Sequence, residues 1–251
     1  MRQNRNGSNP VIALLVSDIH LSHKSPLVRS CEDDWYDCMR RQLQEIRGIA
    51  DEYLCPIVFG GDIFDKWNPP PELINFAIEC LPNQCYGIPG QHDLPNHRWL
   101  DIGKSAFWTL CQAGKIILLR PDEPVESGYG YPVRFHGFPW GFPVKPLTDA
   151  KDLILEVAVV HSYIWTDETG YPGADKEKRL GKYLKQLKGY DAILFGDNHS
   201  PVTWNLQRKK EGPAIFNPGT FYRRKSDEIN HKPRVGLLRA DGTIEQRYLD
   251  V

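Results

Sequence analysis

The 251-residue chain has no apolar run long enough to span a bilayer and no stretch that reads as a secretory leader. A cytoplasmic protein without a membrane partner is therefore expected. It also has no CxxC pair: Cys31, Cys38, Cys55, Cys80, Cys85 and Cys111 are scattered. That spacing argues against a thiolate zinc site or a disulfide framework, and six thiols among apolar residues read as buried and free. Neither sign of charge is in excess, with Lys and Arg together 31, Asp and Glu together 32, and a formal net charge of −1. No global basic field gathers nucleic acid. Only the local clusters Arg208-Lys209-Lys210 and Arg223-Arg224-Lys225 are candidates for phosphate contacts. Internal repeats, low-complexity tracts and linkers are missing as well. One domain over residues 11–251 is expected, after a polar, disordered lead-in at 1–10.

What the chain does have is a set of Asp and His residues, each at the end of an apolar run. Val11–Val16 runs into Ser17-Asp18-Ile19-His20, and Pro56–Phe59 into Gly60-Gly61-Asp62-Ile63-Phe64-Asp65. Cys85–Ile88 leads to Gly90-Gln91-His92-Asp93, Val157–Val160 to His161, and Ala192–Phe195 to Gly196-Asp197-Asn198-His199. Taken singly, each cluster is also what a turn, a cap or a core histidine would show. Five in one order, each closing a strand-like run, point to ligands gathered at the C-terminal edge of an α/β sheet. A mixed oxygen and nitrogen set suits Mn, Fe, Mg or Zn, and the chain reads as a metallohydrolase with two metals.

The coarse pattern supports that architecture. Residues 32–54 carry Trp35, Met39, Leu43, Ile46 and Ala50 at helical spacing, and three prolines at 69–71 precede a helix to Cys80. Further helices are expected at 98–112 and 176–188, and strands at 115–119, 131–137, 153–161 and 191–195. The tail reads as strands at 201–207, 213–217, 233–239 and 243–249, with a hairpin at Ala240-Asp241-Gly242. The expected fold is α/β: two mixed β-sheets packed as a sandwich, flanked by helices, with the metal site at the strand ends.

The order Asp-x-His, Gly-Asp-x-x-Asp, Gly-Gln-His-Asp, a lone His and Asp-x-His resembles the motif series of calcineurin-like metallophosphoesterases from residue 11 onward. The Gly-Gly-Asp-Ile-Phe-Asp context, the proline-led helix and Asn217-Pro218-Gly219-Thr220 with the arginines behind it are most similar to SbcD-type DNA repair nucleases. The resemblance implies Asp18, His20 and His199 on a first metal, Asp62 bridging, and Gln91, His161 and Asp197 on a second. His92 would then protonate the leaving alkoxide, with Asp93 orienting it or supporting the ligands from behind. A hydroxide held by both ions would attack phosphorus in line. His23, His97, Arg223 and Arg224 are expected substrate contacts.

Two positions depart from the family pattern. Gln91 stands where the family has Asn, and Asp197 where it has the first His, both on the second metal. An additional carboxylate favours Mn or Mg, and Mn is the expected ion. The function implied is a metal-dependent phosphodiesterase, a DNA exo- or endonuclease. Its rivals are a phosphoesterase for nucleotides or other small phosphoesters, and a non-catalytic DNA-binding subunit whose second site has decayed. DNA, a homodimer and an SbcC-like ATPase are the implied partners, although the family's usual ATPase-docking segment is not found after the last hairpin.

Overall fold

The computed structural model describes residues 9–127, 130–150 and 153–250, so positions 1–8 of the expected lead-in lie outside the described residues. The strands are β1 (Val11–Val16), β2 (Ile57–Phe59), β3 (Cys85–Gly87), β4 (Ile116–Leu118), β5 (Val125–Glu126) and β6 (Val133–Phe138). They continue as β7 (Leu155–His161), β8 (Ala192–Gly196), β9 (Val202–Trp204), β10 (Ala214–Asn217), β11 (Arg234–Arg239) and β12 (Ile244–Tyr248). They form two six-stranded sheets, ordered β12-β11-β1-β2-β3-β4 and β5-β6-β7-β8-β10-β9. In the first sheet β1 to β4 run parallel and the β11–β12 hairpin is antiparallel on one edge, whereas the second has a parallel centre, β6-β7-β8-β10, between two antiparallel edge strands. The hairpin β11–β12 returns across the chain to pair with β1.

Side-chain alternation explains why two sheets stack. Val157 and Val159 of β7, and Ala192 and Leu194 of β8, enter the core between the sheets with Ile12, Leu15, Tyr86 and Phe216. Ala158, Val160, Ile193 and Phe195 face the opposite way into a second cluster with Tyr183 and Leu187. Strands buried on both faces are apolar throughout, which is why they read as uninterrupted runs.

The helices depart from expectation at points with local causes. Helix α1 (Trp35–Tyr53) begins three residues later than expected, because the Asp34 carboxylate accepts the Tyr36 and Asp37 N–H groups at 2.9 and 3.1 Å. Helix α2 (Pro71–Cys80) starts on a proline, as expected. The 98–112 helix is instead a 3-10 segment, Trp99–Lys104, followed by α3 (Ala106–Gln112). Ser105 is extended between them, and its hydroxyl caps Trp108 N–H at 3.1 Å. The 176–188 helix is broken too: only α4 (Leu180–Tyr183) is α-helical, between two 3-10 turns. A strand-like bridge between Trp165 and Arg179 draws the chain out at Arg179. β9 stops at Trp204, where Asn205 turns with φ of 51°. All six cysteines are free, but Cys31 is exposed and Cys111 half-buried, since Cys31 sits in the turn ahead of α1 rather than on it.

A buried polar cluster sits on the second sheet. Arg134 of β6 is ion-paired with Glu156 of β7, and the His136 Nε2–H donates to Glu156 at 2.7 Å. Burial holds His136 below the ordinary imidazole range, outweighing the pull of Glu156 upward. The unfolded chain therefore binds the proton more readily. Stability is fully present above about pH 6.5 and declines as pH falls through the depressed folded-state pKa. The urea midpoint is expected to drop between pH 7.5 and 5, and His136→Gln to reduce that drop.

Candidate metal centre

β1, β2, β3, β7 and β8 all end on one rim, and each delivers its motif there. The turn beyond each strand must be tight, and four of the predicted ligands adopt left-handed backbone: φ is 52° at Asp18, 50° at His20, 51° at Asp62 and 86° at Asp197. Such conformations cost of order 1 kcal/mol or more for non-glycine residues and cluster at functional sites. Backbone hydrogen bonds from Asp18 to Gly61 and from His20 to Asp62, at 3.1 and 2.8 Å, lock the first two turns together. The Asp18 carboxylate accepts the Asp197 N–H at 3.1 Å, which ties in the third.

The side chains converge. His20 Nε2 and His199 Nε2 face each other at 3.0 Å, with Asp18 Oδ1 3.9 and 4.0 Å from them. Asp62 Oδ2 lies 3.6 Å from His20 Nε2 and 3.4 Å from His161 Nε2, midway between the two groups. Three triads each bring ligand atoms within 4.8 Å: Asp18, His20 and His199; Asp18, Asp62 and His161; His20, Asp62 and His92. Two glycines make room. A Cβ on Gly61, whose φ is 105°, would overlap the His161 ring, and one on Gly90 would overlap the Asp62 carboxylate.

Protonation fits a cation-binding cluster. Burial opposes charge on His161, yet Asp62, Asp18 and Asp197 raise its pKa to about 10. Burial likewise opposes the Asp62 charge, but His161, His20 and His92 hold its carboxyl well below the usual range. Burial, helped by Arg224, keeps His20 neutral with a lone pair to offer. His161 Nε2 is buried without a hydrogen-bond partner, while its Nδ1 is held by the Gly60 carbonyl at 2.8 Å. A divalent ion held by these residues would supply the missing partner and the positive charge that the proton provides otherwise.

The calcineurin-like phosphoesterase family model matches residues 13–201, which include Asp18, Asp62, His161 and His199. The chain belongs to that family. The DNA double-strand break repair protein Mre11 of Methanopyrus kandleri is 23% identical over 269 residues, covering 94% of this chain and 56% of that protein. The chain thus spans little more than half the length of this relative. The crystal structure of the calcineurin-like phosphoesterase YfkN from Bacillus subtilis superposes with a TM-score of 0.55 at 16% identity, covering 94% of this chain and 89% of that one. The fold is that of a metallophosphoesterase.

Within this phosphoesterase, the supporting residues are partly other than expected. Asp93 is buried, and its carboxylate accepts the N–H groups of Ile63, Phe64 and Gly90 at 3.2, 3.0 and 3.0 Å. It clamps the Asp62 loop to the Gly90 loop. His92 is oriented instead by the Asp65 carbonyl, which accepts its Nδ1–H at 2.9 Å. Three backbone donors outbid one imidazole for a buried carboxylate. Asp197, whose N–H bonds the Asp18 carboxylate, stands beside the centre but in none of the converging His and Asp triads. The Gln91 carbonyl is bonded to His97 Nδ1 at 2.9 Å, so His97 acts on that loop.

Arg224 is ion-paired with Asp65, whose Oδ1 is also 3.8 Å from His20 Nδ1. This expected substrate contact is thus turned toward the His20 side of the cluster. His23 is exposed and bonded to Tyr36 at 3.0 Å, with Glu72 at 3.6 Å. Arg223 is half-buried. Two contributors escape the sequence reading, Asp65 as a support and Glu228 beside His199; Trp140, one of the tryptophans that fall near the motif loops, has its ring 6.3 Å from that of His161. Asp65 lies inside a legible motif, whereas no spacing rule links Glu228 to the centre.

Proposed function

We propose that this phosphoesterase hydrolyses phosphodiester bonds in DNA with two divalent ions, Mn the foremost. Asp18, His20 and His199 would hold the first ion and His161 the second, with Asp62 between them and Gln91 and Asp197 completing the second site. The observation that carries the reading is the convergence of His20, His199, Asp62 and His161 on one strand-end rim. When bound, such ions supply Lewis acidity for water and for the phosphoryl oxygens.

The chain's own residues do the rest. Asp62 and Asp18 balance the cationic charge. His92, with Nδ1–H committed to the Asp65 carbonyl, has Nε2 available to carry a proton to the leaving alkoxide. The Arg223-Arg224-Lys225 segment follows the Asn217–Thr220 turn beside His199, and the similarity to Mre11 favours DNA over other phosphodiesters. The near-neutral charge of the chain favours the alternative, a small phosphoester substrate.

End-labelled single- and double-stranded DNA, tested beside a nucleotide monophosphate and a cyclic nucleotide with Mn, Mg or chelator, separates the two. The proposal expects Mn-dependent DNA cleavage; turnover of the small substrates alone would overturn it. DNA affinity is expected to fall as salt rises, and Arg223→Ala to reduce the slope of log K against log salt by about 1. A salt-independent affinity would contradict a phosphate-backbone contact.

A further inference from the structure

Glu228 belongs to no motif, yet it is buried at the end of a 3-10 turn, Ser226–Glu228, beside the metal centre. Its Oε2 accepts two backbone N–H groups, Arg224 at 2.6 Å and Lys225 at 3.0 Å. Those bonds fix the plane of the carboxylate. Its other oxygen, Oε1, lies 3.4 Å from His199 Nδ1. The opposite nitrogen of that ring, Nε2, faces His20 Nε2 at 3.0 Å. The backbone around His199 is fixed separately. The His199 carbonyl accepts the Thr220 N–H at 3.0 Å, and the Asn217 amide donates to the Asn198 carbonyl at 2.8 Å. Glu228 acts on the ring alone.

We infer that Glu228 is a positioning residue that sets the tautomer of His199. A carboxylate only accepts, so in the neutral ring Nδ1 carries the hydrogen and Nε2 keeps its lone pair. That lone pair points at the place where the first ion is proposed to sit. The other imidazoles have different neighbours at Nδ1: His161 and His92 bond neutral carbonyls at 2.8 and 2.9 Å, and His20 Nδ1 is 3.8 Å from Asp65. His199 is also the more exposed partner of the His20–His199 pair, at 26% against 1%, and the one most in need of an anchor. A carboxylate behind a metal-bound imidazole fixes its orientation and raises its basicity. The inference rests on the metal reading above.

Glu228→Gln tests it with little change of shape. The amide oxygen can keep the Arg224 and Lys225 N–H groups, which turns the amide NH2 toward His199. Nδ1 must then accept, and the hydrogen moves to Nε2, the wrong nitrogen for a metal. Side-chain 15N NMR of the metal-free protein, at a pH where the ring is neutral, is expected to show His199 Nε2 unprotonated in the wild type and protonated in the variant, with His199→Gln giving the assignment. Mn2+ titration by EPR is expected to show a tighter-site affinity about 10–100-fold lower in Glu228→Gln. Identical tautomers and identical Mn2+ affinities would overturn the role. A wild type that binds no Mn2+ would contradict the metal reading itself, and the NMR comparison would still decide whether Glu228 sets the ring. If Glu228→Gln does not fold, Glu228→Asp takes its place. That variant keeps the charge but shortens the arm, and it is expected to lose affinity without moving the hydrogen to Nε2; unchanged affinity would overturn the role.

Discussion

Asp62→Asn is expected to lower metal-dependent phosphodiester hydrolysis by at least about 100-fold, the upper end of what disturbing even an outer partner of a ligand costs. The reason is geometric. Asp62 Oδ2 is 3.6 Å from His20 Nε2 and 3.4 Å from His161 Nε2, so one oxygen serves both halves of the centre. Oδ1 accepts the His92 N–H at 2.9 Å, a bond the asparagine carbonyl can keep. The substitution thus removes charge and ligand strength while preserving shape. The fold should survive, because asparagine keeps the side-chain volume and the His92 N–H bond, and His161 can release the proton that Asp62 holds on it. Turnover of bis(p-nitrophenyl) phosphate with Mn2+, alongside thermal unfolding with chelator, separates the two effects. A folded variant with near wild-type turnover would remove Asp62 from the chemistry.

Gly90→Ala is expected to abolish Mn2+ binding at the second site and to destabilise the protein by about 1–3 kcal/mol, the usual cost of overpacking. The new Cβ would overlap the Asp62 carboxylate and meet the Asp62 backbone N at 2.6 Å. Neither neighbour can yield. The Asp62 main chain is bonded to His20 N–H at 2.8 Å, and the Gly90 N–H to Asp93 at 3.0 Å. Urea unfolding and Mn2+ titration check the two halves of this prediction. Unchanged Mn2+ stoichiometry would mean that the Asp62 and Gly90 loops are not fitted to each other as described.

Much of this was legible in the chain because burial on both faces turns a parallel strand into an unbroken apolar run. Val157–Val160 and Ala192–Phe195 announce both themselves and the polar residues at their ends. The sandwich followed from those runs and the late hairpins. Helix limits were less legible, since they depend on single hydrogen bonds: the Asp34 cap, the Ser105 hydroxyl, and the Trp165–Arg179 bridge that breaks a periodic stretch. The candidate ligands were visible as motifs, but their supports were not. Asp93 follows His92 directly, yet its carboxylate points to three backbone donors instead. Glu228 stands 29 positions after His199 and meets it only because the chain folds back beyond β10. Sequence proximity to a strand end foretells well which Asp and His side chains meet on the rim. It foretells their partners poorly, because outer partners are recruited across the fold.

The most direct test of the central claim is to titrate metal-free protein with Mn2+ while following hydrolysis of bis(p-nitrophenyl) phosphate. A dimetal phosphoesterase predicts no turnover in chelator and a rise that levels off after about two ions per chain. Turnover that persists in chelator, or none at saturating Mn2+, would contradict it.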